Sequence, residues 1–271
     1  MPNDIIIPSA NAQDTAYPAE GSREMMDAGV FYGRKKSKTN PKMRQFVIAN
    51  RGGIEIVNLQ KTAEMLDIAT AFIKEKVRSG ALVLLVGTMP AAEASVANLA
   101  KKFNLPYVSF RWVGGAITNF KIVGKRVEYL KKLRTDLASG ALEKYTKKER
   151  LELEREMHRL EELMGGLENM TREPDVIVMI DPVLHVTAVR EARVKKIPIV
   201  AFANVDADPD VVDYLVPGND KSRKSIEWFL GKVEAAIEEG LKLKAAQAAQ
   251  AAEAAAAAQA AKPETQPSQQ K

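Results

Sequence analysis

The chain has 271 residues, 46% of them hydrophobic and 28% charged, with a formal net charge of +5. This composition is typical of a globular protein with a full-sized core, and no apolar run approaches the roughly 20 residues that a bilayer requires. Because the chain contains no cysteine and two histidines, it offers no disulfide, thiolate zinc site, cysteine nucleophile or multi-histidine metal centre. We therefore expect no cofactor, no metal and no membrane partner, and a cytoplasmic location.

The N-terminal part of the chain divides into a tail and a basic run. Residues 1–24 show neither periodicity nor a secretory signal pattern, so they are predicted to be a flexible tail. Between Ala28 and Ile54 there is no acidic residue. A run of one sign favours a polyanion as partner, the alternative being a solvated basic loop. Its seven basic residues are Arg34, Lys35, Lys36, Lys38, Lys42, Arg44 and Arg51.

Two short strands and a helix follow the basic run. A strand-like segment begins at Phe46, and the sequence Asn-Arg-Gly-Gly at 50–53 is typical of a turn. Apolar residues after this turn predict a second strand, so we expect a β-hairpin. Residues 61–78 have the apolar spacing of a helix.

The rest of the body alternates strand and helix. The run "ALVLLVG" at 81–87 is continuously apolar, as in strands that are buried on both faces. Similar runs, separated by helix-forming segments, recur at 107–110, 175–180, 197–203 and 213–217. This alternation predicts an α/β fold, a flavodoxin-like or Rossmann-like parallel sheet with helices on both faces, formed by 25–119 and 167–240.

A helical insertion interrupts this alternation at 120–166. Two charged helices with narrow apolar stripes are predicted, joined near Ser139 and Gly140. The second opens at Thr146 with the capping-box sequence Thr-Lys-Lys-Glu and ends at the glycine pair 165–166. We expect an antiparallel coiled-coil hairpin that protrudes from the body.

The C-terminal segment 241–271 is predicted to be an extension of frayed helix followed by coil. Thirteen of the seventeen residues at 245–261 are alanine, which favours a helix but leaves little to bury. The last ten residues have a composition typical of disorder.

Enzymatic interpretations find little support. The strand-turn-helix at 84–90 resembles a phosphate site of an α/β enzyme but contains neither dinucleotide-binding nor P-loop glycines. The acids at 206–210 lack the glycine and glutamate that a calcium loop requires. His185 is expected to make local hydrogen bonds near a helix start. An α/β enzyme that uses the strand ends around Gly87 and Asp181 remains as an alternative.

The segment that begins with "RWVGGAITNF" at 111–120 supports a nucleic-acid interface. Basic residues spaced over separate elements suit the irregular phosphates of folded RNA. Trp112 has two interpretations, stacking on a base or packing in the core. The candidate RNA ligands in this region are Arg111, Trp112, Asn119, Lys121, Lys125 and Arg126.

A series of motifs between about 24 and 240 matches one protein family in unbroken order. In chain order they are "AGVFYG" at 28–33, "NPKM" at 40–43, "NLQKT" at 58–62, "VGT" at 86–88, "RWVGGAITNFK" at 111–121, "TKKE" at 146–149, "GG" at 165–166, "PDVIVMIDP" at 174–182, "REA" at 190–192, "IPIVA" at 197–201, "DPDVVDYLVPGND" at 208–220 and "SI" at 225–226. On these motifs the chain closely resembles the bacterial small-subunit ribosomal protein S-two family.

The resemblance implies a non-catalytic role in the small ribosomal subunit. Members of the family bind small-subunit rRNA between head and body, join late in assembly and help to retain the messenger-binding protein S-one. The implied partners are rRNA and neighbouring ribosomal proteins, and no homo-oligomer is expected. The chain departs from the family where His-Phe-Gly-His becomes Phe-Tyr-Gly-Arg at 31–34, where a lysine becomes Met89, and where Asp-Thr-Asn becomes Asn-Val-Asp at 204–206.

Overall fold

A computed structural model describes residues 19–260, except for the side chains of 19, 20, 143, 249 and 251–260. Its strands are β1 (Tyr32–Lys35), β2 (Val47–Arg51), β3 (Ile54–Val57), β4 (Val83–Val86), β5 (Tyr107–Val108), β6 (Val176–Ile180), β7 (Ile199–Ala203) and β8 (Tyr214–Pro217). Its helices are α1 (Ala19–Asp27), α2 (Leu59–Arg78), α3 (Pro90–Phe103), α4 (Phe120–Ala138), α5 (Lys147–Met164), α6 (Val186–Val194) and α7 (Arg223–Ala260).

Five of these strands form a parallel sheet in the order β5-β4-β6-β7-β8. Every residue of β4, β6 and β7 is buried, which explains their unbroken apolar runs. Successive side chains point to opposite faces. Leu85 and Val178 therefore pack in one core with α2, α3 and α7. Leu84 and Ile177 pack in a second core with α4, α5 and α6, so the predicted parallel sheet with helices on both faces is confirmed.

A smaller antiparallel sheet, in the order β1-β3-β2, contains the predicted hairpin. Arg51 pairs with Ile54 across a turn whose glycines, Gly52 and Gly53, have φ angles of +58° and +83°. Such angles are strained for a residue with a side chain, so the Gly-Gly sequence has a direct structural cause. The hairpin prediction is confirmed.

The small sheet lies at the carboxyl ends of β7 and β8. Phe46 and Val57 pack with Val205 and Leu215 in a separate apolar cluster. The backbone N–H of Asn40 donates to the carbonyl of Val205 at 2.8 Å. These contacts place the basic run on the edge of the large sheet where its strands end.

Helices α4 and α5 are amphipathic, and their apolar residues belong to one core. Leu130 of α4 and Leu160 of α5 are buried in the cluster that includes Ile177 of the sheet. At the start of α5, Thr146 and Glu149 exchange the hydrogen bonds of a capping box, as the sequence predicted. The predicted helix pair is thus present, with a short 3-10 turn between the two helices.

The described chain is helical at both ends, where the sequence predicted a tail at 1–24 and a frayed helix followed by coil at 241–271. Helix α1 begins at Ala19, inside the segment 1–24 that we expected to be a tail. Helix α7 continues to Ala260, across the expected boundary at 240. Alanine has the highest helix propensity, which accounts for the continuation. Residues 1–18 and 261–271 lie outside the described part.

Candidate nucleic-acid interface

Glu191 of α6 holds the loop that joins β5 to α4. Its Oε1 accepts hydrogen bonds from the backbone N–H of Gly115 at 2.8 Å and from the indole N–H of Trp112 at 3.0 Å. Its Oε2 accepts from the backbone N–H groups of Ile117 and Thr118, at 3.2 Å each, and from the Thr118 hydroxyl at 3.0 Å. Two turns of the loop are thereby fixed to one carboxylate.

These donors determine the ionisation state of Glu191. Burial alone raises the pKa of a carboxyl group, and it is the largest single influence at this site. The hydrogen bonds from the loop together outweigh burial, so the pKa of Glu191 lies below its ordinary value of 4.5. The side chain is therefore a charged anchor at neutral pH, and the loop replaces the water that the carboxylate loses on burial.

Sequence reasoning found residue 191 only as the middle of a short motif. A stronger signal was present, because Ala188 and Ala192 lie on the buried face of α6 and Glu191 shares that face at helical spacing. A carboxylate on an apolar helix face requires donors from another element. The sequence does not say which element supplies them.

Trp112, for which two interpretations were open, is tied to the fold. Its indole N–H donates to Glu191, and its ring is half-buried against the core that contains Ile117. Gly115, three residues further on, has φ +84°, and a Cβ there would lie 3.2 Å from the Cβ of Asn119. Trp112 therefore anchors the turn that leads into α4.

The other candidate ligands of this segment lie on the surface. Asn119 precedes the first turn of α4, where its exposed side chain makes no capping hydrogen bond. No ion pair joins any of the segment's basic residues to a described residue. We name these exposed cations the helix patch: Arg111, Lys121, Lys125 and Arg126.

Two cations of the N-terminal basic run are neutralised within the protein. Arg34 contacts Asp206 through Nε at 3.1 Å and Asp220 through Nη2 at 3.2 Å. Lys42 pairs with Asp208 and Asp210, and the hydrogen bond to Asp210, followed by that to Asp208, raises the pKa of the lysine. These four acids lie at 206–220, far away in the sequence, so acids from outside the run compensate two of its seven positive charges.

The remaining cations of the run are exposed. Lys35, Lys36, Lys38 and Arg44 make no ion pair within residues 19–260, and Arg51 is exposed at the end of β2. We name these five residues the sheet patch. It packs near the ends of β7 and β8, whereas the helix patch follows β5 at the opposite edge of the large sheet. The sheet patch thus lies near the carboxyl ends of β7 and β8, whereas the chain enters the segment of the helix patch from the carboxyl end of β5, four strand positions away in the large sheet.

The strand ends around Gly87 and Asp181 are filled by internal hydrogen bonds. Asp181 pairs with Lys221 at 2.6 Å, and its backbone carbonyl contacts His185 Nδ1 at 2.8 Å. His185 Nε2 lies 3.0 Å from the Thr88 hydroxyl, so the expected local hydrogen bonding of His185 is confirmed. Burial, the largest influence, lowers the pKa of His185.

The strand-helix turn at Gly87 is closely packed. A Cβ at Gly87 would lie 2.9 Å from Val96, which shows a closely packed strand-helix turn. Two cavities, of about 310 and 140 Å³, lie between α3 and α7 and beside α1, and neither is lined by Gly87 or Asp181. Within residues 19–260 no three His, Asp or Glu side chains group as a metal site. None of the helices described is long and apolar enough to cross a membrane.

Comparisons with known proteins agree on one family. The model of the family "Ribosomal protein S2" matches residues 25–240. A small ribosomal subunit protein uS2 of Corynebacterium kroppenstedtii is 42% identical over 82% of this chain and 78% of its own length. The uS2 proteins of Mycobacterium leprae and Bifidobacterium longum are 41% and 43% identical, over 82% and 80% of this chain and 80% and 78% of their own lengths.

The fold and these matches define a structural ribosomal protein and exclude the enzyme alternative. The chain belongs to the ribosomal protein S2 family. The family match stops at residue 240, which is also the end of the resemblance in the sequence motifs.

Proposed function

We propose that the protein is a structural constituent of the small ribosomal subunit and binds small-subunit rRNA through the sheet patch and the helix patch. Two patches of exposed cations, associated with opposite edge strands of the large sheet, suit phosphates that belong to different RNA helices. The single observation that carries the proposal is the presence of these two groups of exposed cations in a member of the S2 family. Arg34, Lys42 and Trp112 support the interface by fixing its shape, because each is bound internally.

The finer features of the role follow the family resemblance. The protein joins the particle late, lies between the head and the body, contacts neighbouring ribosomal proteins and helps to retain protein S-one. It acts in the cytoplasm as a single copy. The two charged patches, separated by the width of the sheet, support a position that bridges two parts of the particle.

Helices α4 and α5 form the protruding coiled-coil hairpin of this arrangement. Val127 and Leu130 of α4 and Met157 and Leu160 of α5 are buried in one cluster, which supports a shared apolar seam. Arg134 of α4 pairs with Glu161 of α5 at 2.8 Å and with Glu168, just after α5, at 2.9 Å. The body consists of 25–119 and 167–240, and the hairpin leaves it directly after the loop that Glu191 anchors.

Sedimentation of cell extracts tests the proposed role. At high magnesium the full chain is expected in the ribosome fractions, and at low magnesium, where the subunits separate, only in those of the small subunit. A variant with the helix patch neutralised, Lys121→Ala with Lys125→Ala and Arg126→Ala, is expected to move towards the unbound fractions. A matched variant, Lys74→Ala with Lys102→Ala and Lys232→Ala, removes three cations that pair with glutamates and is expected to stay bound. Wild-type protein found only in the soluble fractions would contradict the role.

A further inference from the structure

Phe110, which lies between β5 and α4, is the most exposed aromatic residue in the described part of the chain, at 52%. An aromatic ring at the surface keeps a large apolar face in contact with water, so contact with a partner is favourable. Three further aromatic residues are exposed, and each contacts a ring, a carboxylate or a lysine: Tyr32, Tyr129 and Tyr145. Among the described residues the ring of Phe110 contacts neither another ring nor a cation.

The backbone on both sides of Phe110 is fixed. Two residues before it, the carbonyl of Val108 in β5 accepts a hydrogen bond from the backbone N–H of Gly87 at 3.0 Å. Two residues after it, the indole of Trp112 is bound to the carboxylate of Glu191. A side chain on a backbone that is held in this way loses little conformational freedom when a partner binds. Phe110 is therefore a preorganised apolar platform at the surface.

The surroundings of this platform are basic. Arg111, the next residue, is exposed and belongs to the helix patch. Residues 103–127 contain no aspartate or glutamate, and their four basic residues are those of the helix patch. Within 95–121, where every residue is described, no other large hydrophobic side chain is exposed. A single ring among cations suits a nucleotide, which combines a flat base with an anionic phosphate, better than it suits the broad apolar face of a protein.

The kind of nucleotide follows from the chemistry of stacking. In an RNA duplex the faces of the bases are covered by the neighbouring base pairs. An unpaired base in a loop or a bulge exposes a face that can stack on an aromatic side chain. Because the phenylalanine ring has no hydrogen-bonding group, such a contact accepts any of the four bases.

We propose that the ring of Phe110 stacks on an unpaired base of small-subunit rRNA while the neighbouring Arg111 contacts a phosphate of the same strand. The inference rests on the proposed function and adds to it a contact that is not ionic. Trp112, for which stacking was one interpretation of the sequence, is held by Glu191. The stacking role belongs instead to Phe110, two positions earlier.

Binding of the purified full-length protein to small-subunit rRNA tests the proposal. Phe110→Ala is expected to weaken binding about 5- to 150-fold, the range that loss of one stacked base produces. The slope of log affinity against log salt is expected to stay as in the wild type, because the ring neutralises no phosphate. Phe110→Tyr keeps a ring and is expected to retain the wild-type affinity. The matched control is Ile68→Ala in α2, a side chain of the same 52% exposure that is expected to be neutral.

A fully paired RNA duplex provides a second probe. Because no base face is free in the duplex, the wild type and Phe110→Ala are expected to bind it equally. A loss of affinity that is the same for the duplex and for rRNA would overturn the proposal, since the ring would then act without stacking on an unpaired base.

Two further outcomes would also overturn it. If Phe110→Ala bound rRNA as tightly as the wild type but sedimented less with small subunits, the ring would contact a ribosomal protein instead. If Phe110→Ala changed the salt slope, or if Phe110→Tyr failed to retain affinity, the ring would act by shaping the helix patch.

A separate variant judges the proposed function itself. Lys121→Ala with Lys125→Ala and Arg126→Ala is expected to lose affinity for rRNA and to have a shallower salt slope. If this variant lost affinity while Phe110→Ala did not, the stacking would be wrong and the proposed function would stand. If the wild type did not bind rRNA at all, both would be wrong.

Discussion

The indole N–H of Trp112 donates to the buried carboxylate of Glu191 at 3.0 Å, which links the loop after β5 to a helix 79 residues later in the chain. The same carboxylate binds three backbone N–H groups of that loop. The entrance to α4, and with it the helix patch, is therefore positioned by one anionic side chain. Replacing this side chain is therefore expected to lower the stability of the protein more than replacing a surface glutamate does.

Replacement of this anchor, Glu191→Gln, is expected to lower the free energy of unfolding by about 2 kcal/mol. The amide has nearly the same shape, but it loses the charge that strengthens the hydrogen bonds, and its NH₂ group faces donors of the loop. Urea unfolding measures the change. The exposed Glu162→Gln provides the control, with an expected change below about 0.5 kcal/mol. Equal stability of the two variants would show that the charge is not needed.

The lowered pKa of Glu191 also predicts a pH dependence. The unfolded side chain takes up a proton near its ordinary value of 4.5, whereas the folded one does so only at lower pH. The stabilisation is therefore complete above that value and is lost as the pH falls through the folded pKa. The stability difference between wild type and Glu191→Gln is expected to shrink on acidification, as measured by urea unfolding. If the difference in the free energy of unfolding between the two proteins stayed constant at acidic pH, the charge of the Glu191 carboxylate would not be its cause.

The pKa of Asp220 is shifted in the opposite direction from that of Glu191, so the pH dependence of its contribution to stability is also opposite. Burial, followed by the negative charge of Asp181, raises its pKa to about 7 even though Arg34 and Lys221 oppose the rise. The folded protein then binds this proton more tightly than the unfolded chain, so the contribution of Asp220 to stability falls as the pH rises from about 4 to about 7.

The variant Asp220→Asn removes this titration while keeping a side-chain oxygen for Arg34 and Asn204. The stability of the variant relative to the wild type is expected to increase as the pH rises from about 4 to about 7. Thermal or urea unfolding at several pH values gives the comparison, with the exposed Asp27→Asn as control. Parallel pH curves for wild type and Asp220→Asn would rule out the raised pKa.

The sheet patch predicts a salt effect on RNA binding. The variant Lys35→Ala with Lys36→Ala and Lys38→Ala removes three exposed cations. If each binds a phosphate, the slope of log affinity against log salt for rRNA is expected to become shallower by about 2 to 3. Filter binding at several salt concentrations measures the slope. The control is a variant in which three lysines paired with glutamates, Lys74, Lys102 and Lys232, are replaced together by alanine. An unchanged slope in the first variant would show that Lys35, Lys36 and Lys38 do not belong to the interface.

Gly166 fits closely against β5. A Cβ at this position would lie 2.3 Å from the carbonyl oxygen of Tyr107, well inside van der Waals contact. Gly166→Ala is therefore expected to destabilise the protein by about 1 to 3 kcal/mol, because backbone must move at the base of α5. Gly114→Ala is the matched control, since nothing lies within 4 Å of its added Cβ. Equal urea midpoints for both variants would contradict the close approach.

The secondary structure was largely predictable because its signals are local. The apolar run at 81–87 predicted a doubly buried strand, and the structure has β4 there with every residue buried. The capping box at Thr146 predicted the start of α5 at the correct residue. Such signals involve residues only a few positions apart, so they can be identified from the sequence alone.

The availability of charge was not predictable, because ion pairs depend on distant partners. The basic run 34–51 includes Arg34 and Lys42, yet the acids that pair with them come from 206–220, in the segments that follow β7 and β8. Likewise, Glu191 appeared in the sequence only as part of a motif. Its role required the loop at 112–118 to fold over α6.

The sequence by itself therefore determined the family and most of the strands and helices, though not α1 or β1, since periodicity, caps and motifs are local features of the chain. The tertiary structure decided which charged side chains remain exposed and which hold the fold together. The physical reason is that a charge is neutralised or anchored by whatever lies within a few ångströms of it. Those neighbours, for Arg34 and Trp112 alike, come from parts of the chain that meet only in the folded protein.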